Sequence, residues 1–444
     1  MSESSSIPRR AFLRAGTANA FAAPFFVRNL IAAPPSETLR LASFGGGNMA
    51  FYTLRGIAAH RKVKLACVAE VDSAMMGPCR QQFGDVKVYQ DWRLMLDRER
   101  KNIDIACVGT PDHMHAPQVM RSLREGLHVY AQKPLSHDIY EARRLTEFAR
   151  KKRVVTQMGI HVHNSADYKR AVMLVHAGAI GKIKEVHSWS EKKWGDSAPL
   201  PEHSDPVPST LAWDLWLGVC QPRPYVKGYY HPGNWRKRID FGTATFGDMG
   251  CHIVDPVASA LQLTAPISVR SDGPAPSGHN WAIDARIRYV FPGTPFTAGQ
   301  TVEVYWYDGD ERPPKEILEL IESNPVPGQG SIFVGTKGVM LVPHRAVNPI
   351  LCPAAQFKDY PMPEAQAVNH YTEFVEAVLG NTKTTTPFDY SGPLTETVLL
   401  GTIATRFPHT TLRWNAAKMK FDNADATRLV RRKYRRGWSV KGLS

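Results

Sequence analysis

Lys133, Asp248, His252 and Asp255 are residues whose types and spacing could move a proton at a carbinol. Lys133 lies in Gln132-Lys133-Pro134, closing an apolar run from Leu127 to Ala131. An ammonium at a strand end can polarise a substrate hydroxyl or stabilise an alkoxide, as carbinol oxidation needs; Lys-Pro after a strand is equally common as a plain turn. Asp248, His252 and Asp255 stand at i, i+4 and i+7, so on a helix they share one face. An imidazole flanked by two carboxylates is oriented, and kept basic enough to take a hydroxyl proton near neutral pH. Asp248 could equally cap a helix N-terminus, with His252 a satisfied interior histidine. A metal on Asp248, His252 and either His161 or His231 finds no tight His-x-x-x-His spacing to support it, and no metal is expected.

A partner for such chemistry is written into a glycine loop. Leu39 to Phe44 reads as a short buried strand, followed by Gly45, Gly47 and Ala50 at G-x-G-x-x-A spacing around Asn48 and Met49. Gly45 permits the tight turn, Gly47 lets a pyrophosphate approach the main chain, and Ala50 lets the next helix pack closely. The phosphates would sit on that helix's N-terminus, where free N–H groups and the dipole favour an anion. Glu70 ends a second apolar strand, Lys64 to Ala69, and lies 20 residues after Ala50, where an acidic side chain holds the adenosine ribose hydroxyls. Its charge repels a ribose phosphate, so the expected cofactor is NAD rather than NADP, unless an arginine from elsewhere reverses the preference.

Between the two catalytic motifs the chain is rich in rings: Trp189, Trp194, Trp213, Trp216 and Trp235, with Tyr225, Tyr229, Tyr230 and His231. Flat rings beside Arg236, Arg238 and Asp240 suit a sugar, whose C–H faces stack while its hydroxyls bond to charged groups. Core packing or a subunit contact explains such rings equally well. The candidate substrate contacts are His161, Tyr230, His231, Trp235, Arg236 and Asp255.

These residues need a scaffold, and the patterning supplies two kinds. Up to about residue 160, short apolar runs alternate with helical stretches: strands at Val86 to Tyr89, Ile103 to Val108, Leu127 to Ala131 and Val154 to Met158. That alternation argues a doubly wound parallel sheet covered on both faces, with ligands beyond the carboxyl ends of its strands. Gly45, Glu70, the Gly109-Thr110-Pro111-Asp112 turn with His115, and Gln132 to Pro134 should therefore meet in one crevice. Beyond it, Lys184 to Trp189, Ala282 to Phe291, Thr301 to Tyr307, Ser331 to Val334 and Gly338 to Val342 read as antiparallel strands, with helices at Glu364 to Gly380 and Leu394 to Thr405. The fold class is α/β plus α+β, divided into residues 1–35, 36–160 and 161–444.

Residues 1–35 are set apart from the fold. Arg9-Arg10-Ala11-Phe12-Leu13 and the alanine-rich stretch after it resemble a twin-arginine export signal; a basic disordered N-terminus is the alternative. No later stretch reaches the roughly 18 uninterrupted apolar residues of a membrane span. The net charge of +14 is concentrated in the leader and in the tail from Arg428 to Lys441. No recognition motif accompanies it, so no nucleic-acid partner is expected. The six scattered cysteines lack any C-x-x-C pair and read as core residues.

Taken together, the glycine loop, Gly109 to His115, Gln132-Lys133-Pro134, Gln157-Met158-Gly159, Asp248 to Asp255 and the helix around Asn369-His370 resemble the Gfo/Idh/MocA oxidoreductases. The C-terminal part, with Pro393 to Glu396, Leu412 to Trp414 and Tyr434 to Trp438, looks like that family's exported branch. The resemblance implies a Rossmann domain and an α/β domain whose open sheet often joins subunits, so a homodimer or homotetramer is expected. It also implies that Lys133 matches the lysine of the family's Glu-Lys-Pro motif, Asp248 its substrate-binding aspartate and His252 its catalytic histidine. The family's glutamate is Gln132 here, which removes a carboxylate from beside the ammonium and disfavours its charged form.

The expected activity is hydride transfer between NAD and a sugar, glycoside or polyol carbinol in an exported, periplasmic protein. The twin-arginine route carries folded proteins, so the cofactor would be loaded before export, bound tightly and recycled. Two alternatives keep the same crevice. Transient oxidation could serve elimination and re-reduction, giving glycoside cleavage with His161, Tyr229 or His231 as a further acid/base; or Gln132 could mark a dinucleotide-binding protein without catalysis.

Overall fold

The short apolar runs of the first half form β1 (Leu39–Phe44), β2 (Val63–Ala69), β3 (Lys87–Tyr89), β4 (Ile105–Val108), β5 (His128–Ala131) and β6 (Thr156–Met158). The computed structural model describes residues 38–345 and 347–444, so the export signal expected within residues 1–35 lies outside the described residues. These strands pair in parallel in the order β3-β2-β1-β4-β5-β6. The order reverses between β1 and β4, the topological switch at which such sheets bind ligands. Helices α1 (Asn48–Ala58), α2 (Gly77–Phe83), α3 (Trp92–Glu99), α4 (Asp112–Arg124) and α5 (Ile139–Lys152) connect them. A capping box holds the start of α5, the Asp138 side chain accepting from the Glu141 N–H and Glu141 reaching back. The turn carrying Lys133 is thereby pinned between a buried strand and a fixed helix end.

After α6 (Ala166–His176) come β7 (Ile183–Ser190), α7 (Trp213–Leu217), α8 (Ala244–Ile253), α9 (Asp255–Leu261), β8 (Ser268–Ser271), β9 (Arg286–Pro292) and β10 (Thr301–Asp308). Then follow α10 (Lys315–Leu318), β11 (Gln329–Gly335), β12 (Val339–Pro343), β13 (Ile350–Cys352), α11 (Ala354–Phe357), α12 (His370–Val378) and α13 (Phe388–Ala404). The chain closes with β14 (Thr411–Asn415), β15 (Lys420–Phe421) and α14 (Ala424–Arg428). The nine strands form one open sheet, β13-β12-β11-β7-β10-β9-β8-β14-β15.

Two expectations need correction. β7 and β10 pair in parallel, whereas the sheet's other pairs are antiparallel; the long connection between them through α8 and α9 is the crossover that a parallel pair requires. The helix expected from Glu364 begins only at His370, because the Asn369 side chain accepts the N–H groups of Tyr371 and Thr372 and fixes the start there.

The two sheets share their packing. Phe374, Val375 and Val378 of α12 join Leu54, Ile57 and Tyr130 in one buried cluster, so a helix from the second half covers the first sheet. α13 lies so close to α5 that a Cβ at Gly392 would come within 2.0 Å of the Thr146 hydroxyl. All six cysteines are buried and unpaired. Among the described residues no helix is long and apolar enough to cross a membrane.

Candidate active site

The crevice opens where β1 and β4 diverge and has a volume of about 560 Å³. Its first end is made of backbone. Gly45 has φ of 102°, a left-handed conformation that a side chain would strain, and a Cβ there would stand 2.6 Å from that of Ala50. A Cβ at Gly109 would lie 2.7 Å from the Ala50 Cα, so the loops after β1 and β4 clamp the start of α1. Gly47 is the N-cap of α1 and no side chain caps that helix, leaving its first N–H groups for an anion.

Glu70 is held at the end of β2 by two backbone N–H groups, Gly46 at 2.8 Å and Asp72 at 3.0 Å. Burial nevertheless pushes its carboxyl up from the ordinary value. Asn48, Met49, Ala50, Thr110, Pro111, His115 and Gln132 line the same space. His115 sits between the carbonyls of Pro134, 2.7 Å away, and Thr110, 2.6 Å away. Burial takes its pKa to about 4; the neutral ring has one N–H, so only one of these contacts is a hydrogen bond at a time. The fit to a dinucleotide is thus a cradle without Cβ atoms, an uncapped helix end and a fixed carboxylate.

The second end is made of side chains. Lys133 Nζ donates to Asp248 Oδ1 at 2.6 Å and to the Asp248 carbonyl at 2.8 Å. The Gln132 amide turns away and donates to Thr53 Oγ1 at 2.7 Å. The carboxylate beside Lys133 is therefore supplied by Asp248 across the crevice. Asp248 also receives Trp194 Nε1 at 2.9 Å and Lys192 Nζ at 3.3 Å, with Arg236 Nε at 3.5 Å. Burial alone would raise its carboxyl; the charges of Lys133, Arg236 and Lys192 outweigh that and hold it far below the usual carboxylate range.

His252 lines the crevice, but two carboxylates do not flank it. Helix α8 already runs from Ala244, so Asp248 is interior rather than a cap, and it ends at Ile253. Asp255 begins α9 and turns away. Its carboxylate meets His163 Nδ1 at 2.9 Å and the Tyr390 hydroxyl at 2.6 Å, outside the crevice lining. The break at Val254 defeats the i+7 periodicity. The neighbours of His252 are rings, His161 at 5.4 Å and His344 at 5.9 Å between centroids. Burial, then the charge of Lys133, depresses its proton affinity well below the ordinary value. Its Nδ1 is buried without a partner.

His161, His231, Trp235 and Arg236 line the crevice, as do Trp194 and Trp216. His231 Nε2 is 2.9 Å from Asp72 Oδ2. The Arg236 guanidinium lies 4.2 Å from the Trp235 ring centre and 5.4 Å from that of Trp194. Tyr230 does not reach the crevice: it is buried among Trp213, Trp216 and Phe241, where a ring without charge is best accommodated. Trp189 is likewise core. Lys192 and Arg345 line the crevice and escaped the sequence reading, since Lys192-Lys193 looks like a solvated pair and Arg345 merely follows a strand; Asp112, expected there with its turn, lines it too. Asp112 accepts from Thr243 Oγ1 at 2.7 Å, and burial pushes its carboxyl up to about 7. Among the described residues no group of three or more His, Cys, Asp or Glu could hold a metal ion.

Known proteins place this geometry in context. Two Gfo/Idh/MocA models match the chain: "Oxidoreductase family, NAD-binding Rossmann fold" over residues 39–160, and "Oxidoreductase family, C-terminal alpha/beta domain" over residues 179–296. Among curated relatives, a dTDP-3,4-didehydro-2,6-dideoxy-alpha-D-glucose 3-reductase of Streptomyces violaceoruber is 32% identical over 154 residues, 34% of this chain and 44% of that protein. A levoglucosan dehydrogenase of Pseudarthrobacter phenanthrenivorans is 22% identical over 188 residues, 42% of this chain and 40% of that protein. The matches thus span less than half of either relative. A solved structure of the WlbA dehydrogenase from Chromobactrium violaceum, in complex with NADH and UDP-GlcNAcA, superimposes with a TM-score of 0.62 at 14% identity, covering 87% of this chain and 99% of that one; at that identity it shows the fold.

Proposed function

Because the chain belongs to the Gfo/Idh/MocA family of oxidoreductases, we propose that it oxidises or reduces a carbinol of a sugar, glycoside or polyol with NAD. One observation carries the reading. The Lys133 ammonium, at the carboxyl end of a Rossmann strand, is held 2.6 Å from a carboxylate of the helix that presents His252. Two domains' worth of acid–base chemistry therefore meets at the mouth of the dinucleotide cradle. The curated relatives above act on sugars by name, which supports the substrate class.

A bound nicotinamide supplies the acceptor or donor of hydride. The rest falls to the chain. Lys133, fixed by Asp248, donates a hydrogen bond to the reacting oxygen and stabilises the charge that develops there. His252, kept neutral by burial and by Lys133, is free to accept the hydroxyl proton. Its Nε2 makes no hydrogen bond to the protein, and the partnerless Nδ1 carries no carboxylate to fix a tautomer. Trp194 and Trp235 line the crevice, and the Arg236 guanidinium rests over both rings. Glu70 disfavours a ribose phosphate, which supports NAD over NADP.

Export by the twin-arginine route and retention of the cofactor through turnover belong to the same proposal, and rest on Arg9-Arg10 and the residues after them. So does self-association through the open sheet, whose face away from α8 carries His187 stacked on Tyr305 at 4.6 Å. The test is to denature the protein purified from the exported fraction and assay the supernatant for nicotinamide, then to follow the reduced-nicotinamide absorbance of intact protein with methyl glycosides and inositols. Released nicotinamide and a change of the band are expected. A protein that neither carries nor binds NAD or NADH excludes the reading. Free sugar released over many turnovers without an acceptor would instead select glycoside cleavage, for which His161 is the available second acid/base.

A further inference from the structure

Four cations, Lys133, Lys192, Arg236 and Arg345, line the substrate end of the crevice, and proposed catalysis uses only the first. Against them stands one fully ionised carboxylate, Asp248. Glu70 lies at the other end on the Gly46 N–H, and Asp112 is engaged by Thr243. Asp248 is already occupied by Lys133, Lys192 and Trp194, with Arg236 at 3.5 Å. Arg345 makes no ion pair or hydrogen bond among the described residues. Like charges gathered in a recess repel unless an anion joins them.

The donor inventory points the same way. Lys192, Arg236 and Arg345 donate and cannot accept, so hydroxyls facing them would find no acceptor among the three, while His252 and His161 serve the carbinol end. An oxyanion is the complement, since it only accepts. Arg236 is already posed for one: the rings of Trp235 and Trp194 hold its guanidinium plane, so little side-chain freedom is lost when a carboxylate docks on its fork.

We propose that the substrate is an acidic sugar, whose oxyanion, a carboxylate or an ester sulfate or phosphate, is received by Lys192, Arg236 and Arg345 while its carbinol meets Lys133 and His252. The proposal rests on the sugar-oxidoreductase reading and narrows it. The pyrophosphate of a dinucleotide does not meet this need, because the anion site it fits is the uncapped start of α1 at Gly47.

The experiment uses the full chain loaded with NADH and titrated with methyl β-D-glucuronide, glucose 6-sulfate, glucose 6-phosphate and methyl β-D-glucoside, read by nicotinamide fluorescence and by thermal shift. At least one anionic probe should bind about tenfold or more tighter than the neutral glycoside, a preference that shrinks as salt is raised. Which anion wins separates carboxylate from ester. In Arg345→Gln and in Lys192→Met the ratio of acidic to neutral affinity should fall toward one, with NADH still bound as a control for folding. Equal affinity for acidic and neutral probes, binding of none of them to the NADH-loaded protein, or a preference untouched in both variants overturns the proposal. Failure of the parent reading looks different, because NADH itself would not bind.

Discussion

Asp248 and Asp255 lie seven residues apart, both buried, each within reach of a histidine in sequence, and the fold gives them opposite surroundings. Asp248 faces the crevice and gathers three cations and an indole. Asp255 faces the interior and gathers an imidazole and a phenol. One turn of chain at Val254 makes the difference, ending α8 and starting α9. A carboxylate surrounded by permanent charges is a charge-positioning element for a site; one surrounded by titratable neutral groups is a structural joint whose strength follows pH.

Asp248→Asn should show the larger consequence in activity. It removes the anion that fixes Lys133, so turnover is expected to fall about 10²–10³-fold, with NADH affinity within a few fold. Steady-state kinetics of the variant beside an NADH titration checks this. Asp255→Asn should reverse the pattern: a loss of about 3–5 kcal/mol of stability from the broken buried pair, seen in denaturant unfolding, with turnover changed only a few fold. If the two variants lose activity equally, the division between crevice and joint is wrong.

The pH dependence of stability sharpens the same contrast. His163 gains proton affinity in the fold: burial lowers it, and the Asp255 carboxylate more than offsets that. Its contribution is then complete below the unfolded value of about 6.5 and is lost as pH rises through the higher folded value. Asp248 runs the other way. Its folded pKa lies under the ordinary 3.8, so its contribution is present above that value and is lost only as pH falls toward the depressed one. Unfolding free energies across neutral pH should lose their His163-dependent decline in Asp255→Asn and keep it in Asp248→Asn.

The smallest effect is expected far from both aspartates. Glu70→Ser removes the carboxylate from the ribose position, so the ratio of NAD to NADP affinity should fall by about tenfold, equivalent to roughly 1.4 kcal/mol. Titration with both cofactors measures it. An unchanged ratio would mean that backbone, not Glu70, selects the cofactor.

The first sheet was legible almost strand by strand because each run is short, apolar and bounded by turns, and the glycine loop is a backbone requirement that only small residues meet. Lys133 was legible for the same reason, standing at a strand end. The second half was harder. Periodicity could place Asp248, His252 and Asp255 on one helix face but could not see the break at Val254, because no glycine marks it and the proline that does, Pro256, sits where a new helix is allowed to begin. The placement of Lys192 and Arg345 on the crevice was invisible, since charged residues after strands are common and only the tertiary fold brings these two to the same recess. Tyr230 was misplaced because a ring in an aromatic stretch serves core and crevice equally well.

The most direct measurement is a single turnover of protein saturated with NAD, mixed with whichever sugar alters the nicotinamide band, for the native chain and for Lys133→Met. The native protein should form reduced nicotinamide, and Lys133→Met should form it about 10²–10³-fold more slowly while binding NADH as before. Formation at the same rate in both would contradict a chemistry centred on Lys133, Asp248 and His252.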